Sequence, residues 1–320
     1  MADVSLRLGI IGCGRMGRHH ALTCQSLGHR IAFTYDADAE RAAALATECP
    51  HAEVVADARD IVWDKIDAVF VCTPPNARGP MEVAAIQGGT PFFVEKPIAI
   101  NSGQCLPVLR ALRDRPVIHS VGYMSRYRTS VRRAREALAG RTLIGVNAHW
   151  LAGKYNKPWW LEREQSGGPF NEQCTHFVDL FRYYAGEIEQ VTAHGDRPEV
   201  PHTVSVACRF KSGACGTILY SCLSQNKQML FSILCTDGAV DLHGYDLAFE
   251  QTAQSTADAL SAEAETFCKA VTEGRQDLIA SDFNDALQTQ LVVDAIITSL
   301  TTGCVEMIRT PASLLGNEPR

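Results

Sequence analysis

Short apolar runs alternate with helix-like segments over roughly the first 120 residues of the chain. The apolar runs lie at residues 6–11, 30–35, 68–72, 92–94 and 117–121. Segments with the composition of helices lie between them, at 38–48 and 80–87 for example. Strands that alternate with helices in this way predict βαβ units, and therefore a mostly parallel, doubly wound sheet covered by helices on both faces.

The pattern changes after about residue 140. Apolar runs there predict antiparallel strands, with Ser212-Gly213 as a turn signal: VSVACRF (204–210), GTILYSCL (216–223) and QMLFSILC (228–235). Helical patterns at 257–272 and 282–301 follow. Because 320 residues exceed the size at which a single core stops growing, we expect an α/β protein of two domains, 1–122 and 123–320.

Charge and composition narrow the class of partner. The net charge is −6 and no long basic block occurs, which argues against nucleic acid and anionic membranes as partners. No apolar run approaches the roughly 18 residues of a membrane span, and the N-terminus lacks the features of a signal peptide, so we expect a cytoplasmic protein. The 12 cysteines are scattered without a CxxC pair, which favours free thiols over disulfides or a zinc site.

Three glycines follow the first apolar run, in RLGIIGCGRMGRHHA (7–21). In this context Gly12 would make a tight turn, Gly14 would let a diphosphate approach the backbone, and Gly17 would pack helix against strand. Asp36 ends the second strand, where a carboxylate binds ribose hydroxyls and repels a 2′-phosphate. The prediction is an NAD site, with NADP disfavoured, formed by Gly12, Gly14, Arg15, Met16, Gly17 and Asp36. Arg15 can reach either the diphosphate or a 2′-phosphate, and a turn without a ligand is the alternative.

Two further segments end predicted strands in polar residues. In VFVCTPPNA (69–77) the proline-fixed loop would border the nicotinamide side of the cofactor, or would be only a rigid turn. In FFVEKP (92–97) a lysine in a partly desolvated cleft can donate to a substrate oxygen, whereas an isolated lysine at a strand end is usually at the surface. The candidate cofactor contacts from these segments are Thr73, Pro74, Asn76, Glu95 and Lys96.

The motifs, taken in order, resemble the glucose-fructose oxidoreductase, inositol dehydrogenase and rhizopine-catabolism (Gfo/Idh/MocA) family over nearly the whole chain. They are GCGRMG, CTPP, EKP, VGYMSRY (121–127), WW…SGG (159–168) and EAETFCKAVTEGR (263–275). The resemblance implies an N-terminal Rossmann domain and a C-terminal α/β domain with an open, mainly antiparallel sheet used to form a homodimer or homotetramer. It also implies hydride transfer on a sugar or cyclitol carbinol, with Lys96 contacting the reacting hydroxyl.

The segment GGPFNEQCTHFVDLFRYYAGE (167–187) predicts a helix. Four aromatic or aliphatic side chains at helical spacing form a buried stripe, and a glycine suits the C-terminal end: Phe177, Leu180, Phe181, Tyr184 and Gly186. A second face of this helix carries three polar residues, Glu172, His176 and Asp179.

On this polar face Glu172 would lie one turn from His176 and orient its imidazole. Since loss of hydride from a carbinol requires loss of the hydroxyl proton, His176 is the candidate base. From the pattern alone a solvated helix face is the alternative. The family more often has aspartate at position 172, so Glu172 is also a candidate for direct substrate contact. A metal site lacks a third ligand here, and no metal is expected.

Aromatic and basic residues complete the candidate substrate site. Tyr155, Trp159 and Trp160 lie in a loop-like segment and would stack on a sugar ring, or would be core or interface residues. Arg126 would face substrate or cofactor, or lie at the surface. Arg78 stands where family members frequently have histidine, which would alter the charge near the entrance.

These observations predict an NAD-dependent oxidoreductase of a sugar, polyol or cyclitol. Lys96 would polarise the reacting oxygen, and His176 would act as general base or, in reduction, as general acid. Two alternatives stay open at this point. One is an NAD-dependent glycosidase on the same scaffold, and the other is a redox sensor that binds NAD without chemistry.

Overall fold

The computed structural model describes residues 5–197, 200–244, 246–249 and 256–315. These residues form two compact units. The first extends to Ile98 and also contains Gln104–Gly122 and Leu260–Asn284; the second contains Ala99–Gly103, Tyr123–Ala259 and the chain from Asp285 onward. Leu260–Asn284, which lies in the range predicted for the second domain, therefore groups with the first unit.

Six parallel strands form the sheet of the first unit. They are β1 (Arg7–Ile11), β2 (Arg30–Tyr35), β3 (Glu53–Val54), β4 (Ala68–Val71), β5 (Phe92–Val94) and β6 (His119–Val121). The helices between them are α1 (Arg15–Ser26), α2 (Ala39–Glu48), α3 (Pro80–Gly88) and α4 (Leu106–Asp114). The spatial order β3-β2-β1-β4-β5-β6 is that of a doubly wound dinucleotide-binding sheet, which confirms the predicted fold class.

A mixed seven-stranded sheet forms the second unit, in the order β12-β11-β7-β10-β9-β8-β13. Its strands are β7 (Leu143–Leu151), β8 (Ile188–Gly195), β9 (Thr203–Phe210), β10 (Cys215–Ser221), β11 (Gln228–Cys235), β12 (Gly238–His243) and β13 (Glu306–Met307). Only β7 and β10 pair in parallel among these strands, so the predicted mainly antiparallel sheet is confirmed. The helices α5 (Thr129–Ala137), α6 (Arg163–Ser166) and α7 (Thr175–Ala185) also belong to this unit.

Each unit has its own apolar core. In β9 and β10 buried and exposed residues alternate, because successive side chains point to opposite faces of the sheet. The buried face packs against the aromatic stripe of α7, where the ring centroids of Phe181 and Phe210 of β9 lie 6.1 Å apart. Phe177, Leu180 and Phe181 are buried as predicted, whereas Tyr184, the fourth residue of the predicted stripe, is partly buried.

The last three α-helices of the described ranges are α8 (Thr256–Glu273), α9 (Phe283–Thr302) and α10 (Pro311–Leu314). The first two were predicted to within a residue at each end. Within the first unit, Phe267 of α8 packs edge-on against Phe70 at 5.3 Å, so this helix covers the parallel sheet.

Two predictions drawn from composition can be compared with the structure. All 12 cysteines are free thiols, as predicted. Among the helices of the described ranges, none is both long and apolar enough to cross a membrane.

Candidate active site

The glycine turn joins β1 to α1 in the first unit. Gly12 has φ +89°, and a Cβ there would lie 2.6 Å from the carbonyl carbon of Cys72. A Cβ on Gly17 would collide with the carbonyl oxygen of Gly12. By contrast, a Cβ on Gly14 would meet nothing within 4 Å. Gly12 and Gly17 are therefore required by the fold, and Gly14 presents open backbone to a ligand.

Helix α1 begins without a side-chain cap and with no acidic residue in its first turn. Its first N–H groups and the positive end of its dipole therefore suit an anion such as a diphosphate. Asp36, directly after β2, accepts hydrogen bonds from the N–H groups of Cys13 at 2.7 Å and Asp38 at 2.9 Å. A carboxylate has about four acceptor positions, so Asp36 retains capacity for ribose hydroxyls. The residues of the turn thus fit a dinucleotide.

The loop after β4 is braced from inside the first unit. Arg78 is buried and donates from Nε and Nη2 to the carbonyl oxygen of Thr73, at 3.1 and 2.7 Å. Pro74 and Asn76 are exposed, while Thr73 Oγ1 is buried without a hydrogen-bond partner. A buried hydroxyl of this kind is available to a ligand. Arg78 therefore supports the loop through its backbone, and its effect on the charge near the entrance stays a prediction.

Glu95 and Lys96 follow β5. Lys96 is half-buried, and the carboxylate of Glu95 is buried. Glu95 Oε1 lies 2.9 Å from His20 Nε2, and Oε2 accepts from the Lys96 N–H at 3.2 Å. Burial disfavours the charge on Glu95, but the hydrogen bond from His20 and the positive charges of Lys96 and Arg78 outweigh it and lower the pKa of Glu95. In this structure both carboxylate oxygens of Glu95 form hydrogen bonds within the protein, to His20 and to the Lys96 N–H. The predicted contact of Glu95 with the cofactor stays a prediction.

Glu263 of α8 completes this buried group. One carboxyl oxygen of Glu263 lies within 4.8 Å of a ring nitrogen of His20 and of a carboxyl oxygen of Glu95. Neither carboxyl oxygen of Glu263 has a hydrogen-bond partner. Burial, followed by the charge on Glu95, raises the pKa of Glu263 well above its usual value. Sequence reasoning assigned no role to His20 or Glu263, although both lie in the quoted motifs RLGIIGCGRMGRHHA and EAETFCKAVTEGR.

We expect Glu263→Gln to stabilise the protein increasingly as pH rises. Because its pKa is raised in the folded state, Glu263 costs no stability below its unfolded pKa, and the cost grows as pH rises toward the folded pKa. The melting temperature of the variant should exceed that of the wild type by about 2–4 °C at pH 8 and by much less at pH 5. Glu265→Gln, an exposed residue of the same helix, is the control and should show no such trend. Equal shifts at both pH values would contradict a raised pKa for Glu263.

In the second unit, a π-helical turn at Phe170–Cys174 precedes α7. The predicted regular α-helical spacing between Glu172 and His176 is therefore wrong. Glu172 lies inside the wider turn, and its Oε2 accepts from Trp160 Nε1 at 3.0 Å. Single π turns within α-helices occur frequently at functional sites, because they redirect side chains without ending the helix.

His176 lies in the first turn of α7 and is 7% exposed. Its ring stacks on Trp150 with 6.1 Å between centroids and 6° between planes, and the Tyr123 ring lies edge-on at 6.3 Å. The Tyr123 hydroxyl is in turn 3.0 Å from Thr175 Oγ1. The imidazole is thus held in one plane by its aromatic neighbours. Gly186, with φ +84°, ends the helix as predicted.

Arg126 and Asp179 form a buried fork. Arg126 Nε donates to Asp179 Oδ2 at 2.9 Å, and Nη2 donates to Oδ1 at 2.6 Å. Nη2 also lies 2.7 Å from Asp285 Oδ2 on α9. The surface alternative for Arg126 is wrong, since the residue is 6% exposed. The guanidinium of Arg126 binds the carboxylates of Asp179 and Asp285. These contacts favour a role in fixing the position of α7 rather than in binding substrate.

The aromatic segment divides into buried and exposed residues. Trp160 is fully buried, and Trp159 packs partly buried against the core of the second unit. Tyr155 is 38% exposed, and its ring lies 5.1 Å from that of Trp160. Of the three, Tyr155 therefore offers the most ring surface to a ligand, with Trp160 fixed behind it.

Comparison with known proteins gives matches along most of the chain. A family described as "Oxidoreductase family, NAD-binding Rossmann fold" matches residues 6–123, and the "GFO/IDH/MocA C-terminal domain" matches residues 131–241. Inositol 2-dehydrogenase 2 of Saccharopolyspora erythraea is 32% identical over 203 residues, which are 61% of this chain and 58% of that protein. Myo-inositol 2-dehydrogenase of Thermotoga maritima is 26% identical over 225 residues, 67% of each chain.

Among solved structures, levoglucosan dehydrogenase in complex with NADH and L-sorbose matches with a TM-score of 0.85 and 21% identity. The match covers 96% of this chain and 99% of that one. At this identity the likeness shows the fold. The sequence match to the Saccharopolyspora protein spans less than two thirds of that protein's length.

Proposed function

Because this chain belongs to the GFO/IDH/MocA oxidoreductase family, we propose that it transfers hydride between NAD(H) and a hydroxyl-bearing carbon of a sugar, polyol or cyclitol. The observation that carries the proposal is the glycine turn, where Gly14 is open and the Cys13 N–H holds the Asp36 carboxylate beside it. Relatives named inositol 2-dehydrogenase and a structural neighbour named levoglucosan dehydrogenase support a polyhydroxylated ring as substrate.

The residues that would hold the cofactor lie at the carboxyl end of the parallel strands. The diphosphate would lie on the first turn of α1, formed by Gly12, Gly14, Arg15, Met16 and Gly17. Asp36 would accept from the adenosine ribose, and the loop of Thr73, Pro74 and Asn76 would border the nicotinamide. When bound, NAD supplies the hydride acceptor.

Side chains of the protein stabilise the charge that develops on the reacting oxygen and transfer the hydroxyl proton. Lys96 donates a hydrogen bond to the oxygen and stabilises the negative charge that develops on it. His176 accepts the hydroxyl proton during oxidation and returns it during reduction. Glu172, fixed by Trp160, and the rings of Tyr155 and Trp159 contact the other hydroxyls and C–H faces of the substrate.

An activity screen tests the proposal. Wild-type protein is offered inositols, levoglucosan, hexoses and pentoses with NAD or NADP, and reduced nicotinamide is followed by its absorbance. We expect NADH to accumulate with at least one cyclic polyol or sugar. Cleavage of a glycoside without net NADH would replace the proposal with a glycosidase, and NAD binding without turnover of any substrate would replace it with a sensor.

Lys96→Met is expected to lower kcat by about 10²–10³-fold, as for removal of one preorganised donor to a developing oxyanion. Binding of NADH, measured by its fluorescence, should stay within about threefold of the wild-type value. Lys65→Met, an exposed lysine of the same unit, is the control. An unchanged kcat in Lys96→Met would remove the lysine from the mechanism.

Asp36→Ser is expected to raise the ratio of kcat/KM for NADP to that for NAD by at least about tenfold, since one repulsive charge beside a 2′-phosphate is removed. Asp38→Ser, which replaces the neighbouring carboxylate that caps α2, is the control. No change in the ratio would mean that Asp36 does not face the adenosine ribose.

A further inference from the structure

The cluster of His20, Glu95 and Glu263 lies next to Lys96 in the first unit, since Glu95 accepts a hydrogen bond from the Lys96 N–H, and it has no place in the mechanism above. His20 and Glu263 are fully buried, and Glu95 is 5% exposed. Burying three ionisable side chains is costly unless each has a partner. Such a group therefore calls for an explanation beyond packing.

Glu95 connects two parts of the first unit through its two oxygens. Oε1 receives the Nε2 hydrogen of His20, which lies on the same helix as the glycine turn. Oε2 receives the backbone N–H of Lys96. Gly122 leaves room for this carboxylate, since a Cβ there would lie 3.0 Å from Oε2. The carboxylate thus ties α1 to the peptide that carries the lysine.

Two phenylalanine rings pack against His20 and orient it toward Glu95. Its ring lies 5.2 Å from Phe70 and 4.8 Å from Phe93, and its Nδ1 has no hydrogen-bond partner. The apolar rings fix the imidazole plane, so that Nε2 is directed at Glu95. Neither oxygen of Glu263 has a hydrogen-bond partner, so Glu95 is the carboxylate of this cluster that makes the hydrogen bonds.

We propose that His20 and Glu95 are positioning residues that hold Lys96 in its working orientation and link it to the helix that carries the dinucleotide turn. This inference rests on the proposed function for the role of Lys96. Without the Nε2 donor, Glu95 would keep only its hydrogen bond to the Lys96 N–H. The backbone of Lys96 would then no longer be connected to α1 through this carboxylate.

Two substitutions separate the hydrogen bond from the packing. His20→Phe keeps an aromatic ring between Phe70 and Phe93 but removes the donor. His20→Gln places an amide nitrogen near the position of Nε2 and restores it. We expect kcat to fall at least tenfold in His20→Phe with KM for NAD within threefold, and most of kcat to return in His20→Gln. His119→Phe, another buried histidine of this unit that stacks on Phe92, is the control and should keep its kcat.

A second readout needs no substrate and therefore separates this inference from the proposed function. The rate at which an amine-reactive reagent labels Lys96 is measured by peptide mass spectrometry, with exposed Lys65 as internal reference. We expect the Lys96 rate, relative to Lys65, to change at least threefold in His20→Phe and to return toward wild type in His20→Gln. If the wild type has no dehydrogenase activity but this shift occurs, the proposed function fails and the positioning role stands.

Three results would overturn the positioning role. The first is an unchanged kcat and labelling rate in His20→Phe. The second is an equal loss in His119→Phe, which would indicate general destabilisation. The third is a stoichiometric divalent metal in the purified protein that is lost in Glu263→Gln, because Glu95 would then be a metal ligand.

Discussion

Replacing His176 with alanine should lower kcat by about 10²–10⁴-fold, the usual contribution of a positioned general base. The imidazole is 7% exposed and stacked on Trp150, so its packing holds it in one plane. NADH binding, measured by fluorescence, should change little, because His176 is not among the residues proposed to hold the dinucleotide.

The control is His202→Ala, which removes another histidine of the second unit with the same 7% exposure. Its kcat should stay within about threefold of the wild-type value, while its melting temperature reports the cost of losing a buried imidazole. Added imidazole should partly restore turnover to His176→Ala by supplying the missing proton acceptor. If the two variants lose activity equally, His176 has only a structural role.

The sequence predicted best those features that depend on neighbouring residues. The parallel strands follow from short apolar runs, and the three glycines of the turn follow from their spacing after β1. Each of these signals is local, because a strand or a tight turn is specified by residues close together in the chain. The positive φ of Gly12 is an example, since the chain must reverse direction there.

Features that depend on distant residues were not predicted. His20, Glu95 and Glu263 lie on α1, after β5 and on α8, and only the tertiary fold of the first unit brings them together. In the sequence His20 and Glu263 each resemble an ordinary polar residue, and Glu95 was predicted only as a cofactor contact. Arg126 is a similar case, because its burial depends on Asp179 and Asp285, which lie on two other helices.

The π turn at Phe170–Cys174 was missed for a different reason. Periodicity assumes 3.6 residues per turn, and an inserted residue shifts the face on which every preceding side chain lies. Glu172 therefore points to Trp160, whereas the residues of α7 after the π turn keep the predicted pattern. Three of the four residues of the predicted buried stripe are buried, because the stripe lies entirely after the π turn, where the α-helical spacing holds.

Breaking the buried fork of Arg126 and Asp179 should strongly destabilise the second unit. Removing one partner of a buried ion pair leaves the other charge without compensation and typically costs about 3–5 kcal/mol. Arg126→Met should therefore lower the free energy of unfolding by about that amount. Burial raises the pKa of Asp179, and Arg126 lowers it in part. Without Arg126 the pKa of Asp179 should therefore be higher than in the wild type, so the carboxylate should be protonated at a higher pH. The loss should then be smaller at pH 5 than at pH 8.

Two variants test whether this cost comes from the unpaired charge. Arg209→Met breaks an ion pair with Glu189 in which both side chains are exposed, and it should cost at most about 1 kcal/mol. Arg126→Met combined with Asp179→Leu removes both buried charges and should recover part of the stability lost in Arg126→Met. Urea unfolding followed by tryptophan fluorescence measures all of them. If Arg126→Met costs no more than Arg209→Met, the fork does not stabilise α7, and the aromatic packing around His176 must hold this helix by itself.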